Sequence, residues 1–387
     1  MQDKKKLIVY VGSYSFPNGG AAARRIYGNC VTLKKAGYDV IVTSGQVSTK
    51  MVDEYNGIQV ISLNERLYEK LPTVLKHLMY FNAGKKTIEW LDNLTIKPAA
   101  IILYSGYSPY LIKLIPWCRK NNVKIIFDAV EWYDAPSRFH YFISPYYLNI
   151  ELAMRWLNKK CDSLIVISDY LKDYYTGTVD SLVKIPPTVN CESIGARLNH
   201  ENSKTIKLVY AGNPGKKDLL ALIIKAVQNI TMEGNKVQLH VAGVTSDNLR
   251  KFLNSSSCSE EILDNFLFCH GILSHDETLE LVRSADYSII IRPPIRSVQA
   301  GFPTKFVESL AVGTPVIANI TSDLDSYLID GVNGLICSDS SLESIKATIN
   351  KAFEVEDYSE MRIDARKTAE SYFDAINYLD SLKKIIG

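Results

Sequence analysis

The residues with the plainest chemistry lie between 300 and 317, in the run AGFPTKFVESLAVGTPVI. Pro303 and Thr304 supply a helix start with Thr304 as candidate N-cap, and Phe306, Val307, Leu310 and Ala311 follow at helical spacing. Gly313 and Pro315 stop that helix, and Val316, Ile317 and Ala318 read as the next buried strand. Lys305 and Glu308 stand three residues apart and so share one face near the helix start. Unpaired N–H groups and the positive end of the dipole favour an anion there. A carboxylate one turn further in accepts hydrogen bonds from sugar hydroxyls. An anion joined to a hydroxyl-rich group is what a nucleotide sugar presents.

Four further places carry candidate groups. In 210–218, YAGNPGKKD, the small residues let the backbone approach a ligand, and the lysines can neutralise a diphosphate. The candidates here are Gly212, Asn213, Lys216 and Lys217. It is not a Walker A loop: Tyr210 stands where that loop needs glycine, and neither Ser nor Thr follows the lysine. Taken alone, it is equally a glycine turn with solvated lysines. In 12–20, GSYSFPNGG, Gly19 and Gly20 close a loop after the first strand, and the failed G-x-G-x-x-G pattern weighs against a dehydrogenase. Asp128 and Glu131 sit at the carboxyl end of an apolar strand, where they would orient an acceptor hydroxyl or stabilise positive charge at a sugar carbon. The competing reading is strand-end capping. Arg292 follows the buried run 287–291, placed either to neutralise a departing diphosphate or as a solvated loop cation. Asp323-Leu324-Asp325 spells D-x-D, but helix-start acids account for it, and the six histidines show no paired spacing for zinc. No metal is expected.

Something must hold these groups in place. The chain has 387 residues, 47% of them hydrophobic, enough for two domains. A net charge of +2 argues against a dedicated nucleic-acid binder. Seven cysteines without a C-x-x-C pair suggest reduced thiols in a cytoplasmic protein. The apolar run after the charged N-terminus is too short for a signal peptide, and no stretch has the length of a membrane span. Short β-rich runs alternate with helical patterns: strands near 7–11, 39–43, 58–62, 99–103, 123–127 and 163–167, then 205–210, 236–242, 266–268, 287–291, 315–319 and 334–336. About twelve continuous apolar strands are too many for one parallel sheet, and the alternation restarts after a Pro-Pro segment, with a hinge near 185–204. The expectation is an α/β protein of two doubly wound Rossmann-like domains facing a cleft, and a last helix over roughly 360–386. Two aromatic and basic stretches, 71–91 and 138–160, would suit anionic lipid or a glycan, with ordinary core packing the blander account.

Taken in order, several motifs resemble one family. These are His270-Gly271-Ile272-Leu273, Pro303-Thr304-Lys305-Phe306-Val307-Glu308, Gly313-Thr314-Pro315-Val316-Ile317 and Asp330-Gly331-Val332-Asn333-Gly334-Leu335, with Val166-Ile167-Ser168-Asp169-Tyr170-Leu171 before them. The chain is similar to GT-B glycosyltransferases, most of all the retaining family-4 sugar transferases of bacterial surface polysaccharide assembly. The resemblance implies an N-terminal acceptor-side domain over 1–190, a donor domain over 191–365, and a final segment, 366–387, crossing back to the first. It implies a hexosyltransferase without a cofactor or metal, using a UDP- or GDP-sugar and a glycan or lipid-linked acceptor, cytoplasmic or peripheral at the inner face of the membrane. Glu308 would hold the donor's ribose, Thr304 and Lys305 would meet the diphosphate with Pro303 beside them in the donor site, and Gly271, Ile272 and Leu273 would contact the base. Gly212 to Lys217 would form the phosphate-side loop, while Gly19 and Gly20 would close on the donor. The pattern departs at Ala300, where the family's first glutamate belongs, and at Asn213, where an arginine is usual. Those departures motivate an alternative: a non-catalytic sugar-nucleotide-binding or scaffold partner.

Overall fold

The computed structural model describes residues 5–66, 80–105, 108–135, 137, 144–198, 204–213, 215, 217–254 and 266–387. The chain divides into two compact units. The first comprises Met1–Thr188, Gln299–Phe302 and Ala375–Gly387, and the second comprises Val189–Val298 and Pro303–Asp374.

The first unit is built on β1 (Leu7–Val11), β2 (Asp39–Ser44), β3 (Val52–Tyr55), β4 (Ile58–Ser62), β5 (Ala100–Tyr104), β6 (Lys124–Ala129), β7 (Ser163–Val166) and β8 (Ser181–Lys184). They form one sheet in the order β3-β4-β2-β1-β5-β6-β7-β8. Every pairing is parallel except β3 with β4. The central strands β1 and β5 read as unbroken apolar runs because helices bury both of their faces. Strand β3 escaped the sequence reading because all four of its residues are exposed, so VDEY carries no hydrophobic signal. Short β8 escaped it too.

The second unit holds β9 (Ile206–Ala211), β10 (Val237–Ala242), β11 (Leu267–Gly271), β12 (Tyr287–Ile290), β13 (Val316–Asn319) and β14 (Gly334–Cys337). Their order is β11-β10-β9-β12-β13-β14, all parallel. The strand sequence reverses direction between β9 and β12, where a doubly wound sheet opens a crevice at its carboxyl edge.

The single helix expected over 360–386 is corrected to two, Tyr358–Tyr372 and Leu379–Ile386, joined by a 3₁₀ turn. Phe373 causes the break. It is fully buried in the second unit, with ring centroids 4.8 Å from Tyr327 and 6.0 Å from Phe306, and its carbonyl accepts from the Val189 amide at 2.9 Å. The chain therefore changes unit at 375 rather than at 366. Beyond that point Leu382, Ile385 and Ile386 are buried in the core of the first unit, beside Ile8, Ile26 and Leu33.

Candidate functional site

The reversal between β9 and β12 is spanned by one carboxylate. Asp218 lies where the loop after β9 enters the helix Leu220–Met232, and it is 5% exposed. Its Oδ1 accepts from Arg292 Nε at 2.7 Å, and its Oδ2 accepts from the Tyr210 hydroxyl at 2.6 Å and from Lys305 Nζ. The Lys305 ammonium also sits 3.9 Å from the centre of the Tyr210 ring. Arg292 is fixed at its backbone, where Asn319 both accepts from its N–H at 2.9 Å and donates to its carbonyl at 2.8 Å. Burial alone would raise the Asp218 carboxyl, but Arg292 and Lys305 overcome that and hold it below the usual carboxylate range. Burial pushes the Lys305 ammonium down to about 8; Asp218 and Glu308 pull it upward and Arg292 pushes it further down.

Lys305 is carried by the helix Thr304–Ala311. Thr304 is not its cap, as the sequence suggested: Pro303 takes that place with an extended backbone, and Thr304 is already the first helical residue. At the far end the Gly313 amide bonds the Leu310 carbonyl at 2.9 Å and the Thr314 amide bonds Ser309 at 2.8 Å, with Gly313 at φ +77. This is a Schellman motif, and the left-handed residue explains the glycine. Glu308 lies one turn in from Lys305 and is buried.

Three glycines line the carboxyl edge beside these cations. Gly212 has φ +136, and a Cβ there would lie 2.9 Å from Lys305 Cε, so the lysine stem crosses directly over it. Gly243, after β10, has φ +92, and its Cβ would fall 2.6 Å from the Gly212 carbonyl carbon. Its amide donates to the Gly271 carbonyl at 2.8 Å. Gly271, at φ +69, faces open space; Ile272 beyond it is 70% exposed and Leu273 is half-buried. The exposed Asn213 accepts from the Gly215 amide at 3.2 Å, a turn internal to the loop. Lys217 is half-buried, while Lys216 lies outside the described residues.

The comparisons with known proteins bear on this unit most directly. Residues 197–371 match the family model described as "Glycosyl transferases group 1". They carry a group 1 glycosyltransferase domain. An uncharacterized glycosyltransferase of Methanocaldococcus jannaschii is 25% identical over 207 residues, covering 51% of this chain and 50% of that protein. The match thus spans about half the length of this curated relative. Among solved structures, sucrose-phosphate synthase from Thermosynechococcus elongatus superposes with a TM-score of 0.76 at 15% identity, over 99% of this chain and 98% of that one. The Anabaena protein HepE, solved in complex with UDP and glucose, gives 0.67 at 13% identity, with 98% of each chain covered. The two parallel-sheet α/β domains are those of the GT-B fold.

Within the glycosyltransferase domain, sequence reasoning singled out Arg292, Lys305, Glu308 and the two glycines but passed over Asp218, Gly243 and Asn319. Asp218 had a signal, as the acid closing YAGNPGKKD, but its partners stand 74 and 87 positions away. Gly243 had none beyond its place after a strand.

The first unit revises two expectations. Asp128 has no exposed surface: Arg25 reaches Oδ1 through Nη2 at 2.7 Å, and the Tyr10 hydroxyl donates to Oδ2 at 2.6 Å. A substrate-facing role for Asp128 is corrected to a structural one, because Arg25 also donates to the carbonyls of Ile185 and Pro186 and so ties β6 to the chain's exit from this unit. Glu131, three residues beyond, is half-buried. Gly19 precedes the helix Gly20–Lys35, and a Cβ there would strike the Ser15 carbonyl oxygen at 1.9 Å; Gly20 has φ +63 and borders open space. Ala300 is fully buried, and its carbonyl accepts from the Ser168 hydroxyl at 2.9 Å.

Proposed function

We propose that the chain transfers a sugar, with retention, from a UDP- or GDP-sugar to a glycan or lipid-linked acceptor in surface polysaccharide assembly. The observation that carries this reading is the pair of largely shielded cations, Arg292 and Lys305, gathered beside the glycine-lined carboxyl edge of a group 1 glycosyltransferase domain. In it, Lys305, Arg292 and the start of the helix Thr304–Ala311 neutralise the departing diphosphate, which makes a metal unnecessary. The helix backbone at Pro303 and Thr304 and the Gly212 loop, with Asn213, Lys216 and Lys217, border the phosphates. Glu308 accepts from the ribose hydroxyls, and Gly271, Ile272 and Leu273 flank the base. Gly19 and Gly20 serve the donor, and Glu131 orients the acceptor.

Turnover of UDP- and GDP-sugars by Lys305→Ala and Glu308→Ala checks the site. Lys305→Ala is expected to lower kcat/KM about a hundredfold or more, the usual effect of removing one group that stabilises transition-state charge, and Glu308→Ala to lower it chiefly by raising the donor KM, as loss of a binding contact does. Unchanged turnover in both, or nucleotide binding without turnover of any donor, overturns the reading.

The same proposal includes peripheral contact of the first unit with an anionic membrane. Support comes from the segment 145–160, a helix, Pro145–Leu152, continuing through one π-helical turn into a 3₁₀ turn. Leu148, Leu152 and Trp156 are exposed at four-residue spacing, Trp156 by 68%, and the exposed Lys159 and Lys160 follow. No helix among the described residues is long and apolar enough to cross a membrane. Much of the two aromatic stretches, including Lys76, His77, Arg138, Phe139, Tyr141 and Phe142, lies outside the described residues.

A further inference from the structure

The Asp218 carboxylate is an unexpected occupant of a site that must attract a diphosphate. An acid there opposes the ligand, so its presence calls for a reason. Two cations, Arg292 and Lys305, approach it from different elements, one after β12 and one on the helix Thr304–Ala311, and both side chains are mostly withdrawn from water. Without an anion between them these two positive charges would repel across a poorly hydrated gap. A guanidinium holds its proton more firmly than an ammonium, so the lysine would be the group to lose one. Asp218 takes only part of what the cations can donate. It accepts through Arg292 Nε, which leaves Nη1 and Nη2 with no hydrogen bond among the described residues, and through Lys305 Nζ, an ammonium with three hydrogens.

Resting on the donor-site reading above, we propose that Asp218 is a positioning residue that keeps Lys305 charged and Arg292 oriented, so that both cations can serve the nucleotide diphosphate. Tyr210 completes the arrangement. Its ring lies under the ammonium and its hydroxyl holds the second carboxylate oxygen, so Asp218 is fixed by β9 while the cations come from elsewhere. The charged and titratable groups facing Lys305 are Asp218 before the helix Leu220–Met232, Arg292 after β12, Tyr210 on β9 and Glu308 on its own helix. Asp218 and Glu308 favour the ammonium, while Arg292 and burial oppose it. Removing the Asp218 charge leaves Glu308 alone against both.

Asp218→Asn keeps the shape and deletes the charge. In protein labelled with ¹³C-lysine, with the Lys305 signal assigned by its loss in Lys305→Arg, the titration midpoint of Lys305 is expected to fall by one unit or more, a tenfold drop in the protonated fraction on the alkaline side. Calorimetry with UDP and GDP is expected to show about tenfold weaker binding at pH 8 and recovery toward the unsubstituted protein at pH 6, where Lys305 is protonated in both. Asp218→Glu, which retains the charge, restores most of the midpoint and decides the matter should the asparagine variant fail to fold. An unmoved midpoint in the folded variant overturns the proposal, as does an equal loss of affinity at pH 6 and pH 8, the mark of a merely structural residue. The lysine titration needs no ligand. Failure of the unsubstituted protein to bind either nucleotide would therefore sink the donor-site reading, while the titration still reports on Asp218.

Discussion

Lys305, Glu308 and Arg292 announce themselves as residue types, but their behaviour is set by neighbours remote in sequence. The same holds for a histidine pair. His240 and His270 show no motif spacing, yet a register shift between β10 and β11 brings His240 Nδ1 and His270 Nε2 to 2.9 Å, with the His240 ring stacked 4.9 Å from Phe268. Burial first, then His270 and Lys207, lower the His240 imidazole from 6.5 to about 4. The unfolded chain therefore binds a proton between those values that the folded chain refuses. Stability contributed by neutral His240 is complete above pH 6.5 and is lost as the pH falls toward 4. Urea unfolding at pH 4.5, 5.5 and 7 checks this: the rise in unfolding free energy with pH should be shallower in His240→Phe, which keeps an aromatic ring against Phe268. An identical slope in the two proteins would remove His240 from the account.

Among the elements, strands buried on both faces and helices with one apolar stripe could be placed from pattern alone, and β1, β5, β9 and the helix Thr304–Ala311 were. Elements without such a pattern were not: β3 lies exposed at an edge, and the segment 360–386 gives no warning that Phe373 will be captured between Tyr327 and Phe306. The segment 145–160 is informative in the opposite sense, since Leu148, Leu152 and Trp156 stay outside while Ile150, Ala153 and Met154 are buried. Three large side chains on one face cost solubility unless something covers them, and the lysines that follow favour an anionic surface. Co-sedimentation with vesicles rich in phosphatidylglycerol should capture the protein, and vesicles of phosphatidylcholine alone should not. The triple change Leu148→Ser, Leu152→Ser and Trp156→Ser is expected to abolish most of that binding while leaving the circular dichroism unchanged. Undiminished binding would assign the contact elsewhere.

At the scale of the molecule, each sheet reverses strand order at its centre, between β1 and β5 in the first and between β9 and β12 in the second, and the candidate site lies at the second of these. The C-terminal residues belong to the first unit although they follow the second in sequence. Lys6 Nζ donates to the Gly387 carbonyl at 3.0 Å, and the Thr32 hydroxyl donates to the Ala375 carbonyl at 3.0 Å. Leu382 is fully buried in that core. Leu382→Ala is therefore expected to destabilise the first unit by about 2–5 kcal/mol, the range for large-to-small changes in a packed interior. Calorimetric scans should show a lower unfolding midpoint, and Lys384→Ala, at an exposed neighbour, should not shift it. A Leu382→Ala midpoint equal to the parent's would mean that the last helix contributes nothing to that core.

By itself the sequence determined the α/β class, the two-sheet division and the helix that presents Lys305 and Glu308, because hydrophobic period, glycine and proline act over a few residues and leave a local trace. It also marked Gly212 as a small residue in the loop after its strand, while Gly271 entered only through the family resemblance. Only the tertiary structure decided which charges meet. Asp218, Arg292 and Lys305 come from three segments brought together by parallel crossovers, and no local pattern records that convergence. The same physics separates the two acids that look most alike in sequence: Asp128 ends a strand beside Arg25 and is sealed in a buried ion pair, whereas Asp218 ends a loop at the reversal of strand order and holds two cations at the carboxyl edge. A carboxylate's role is set by what is brought against it in a medium of low dielectric, and that is a property of the folded chain.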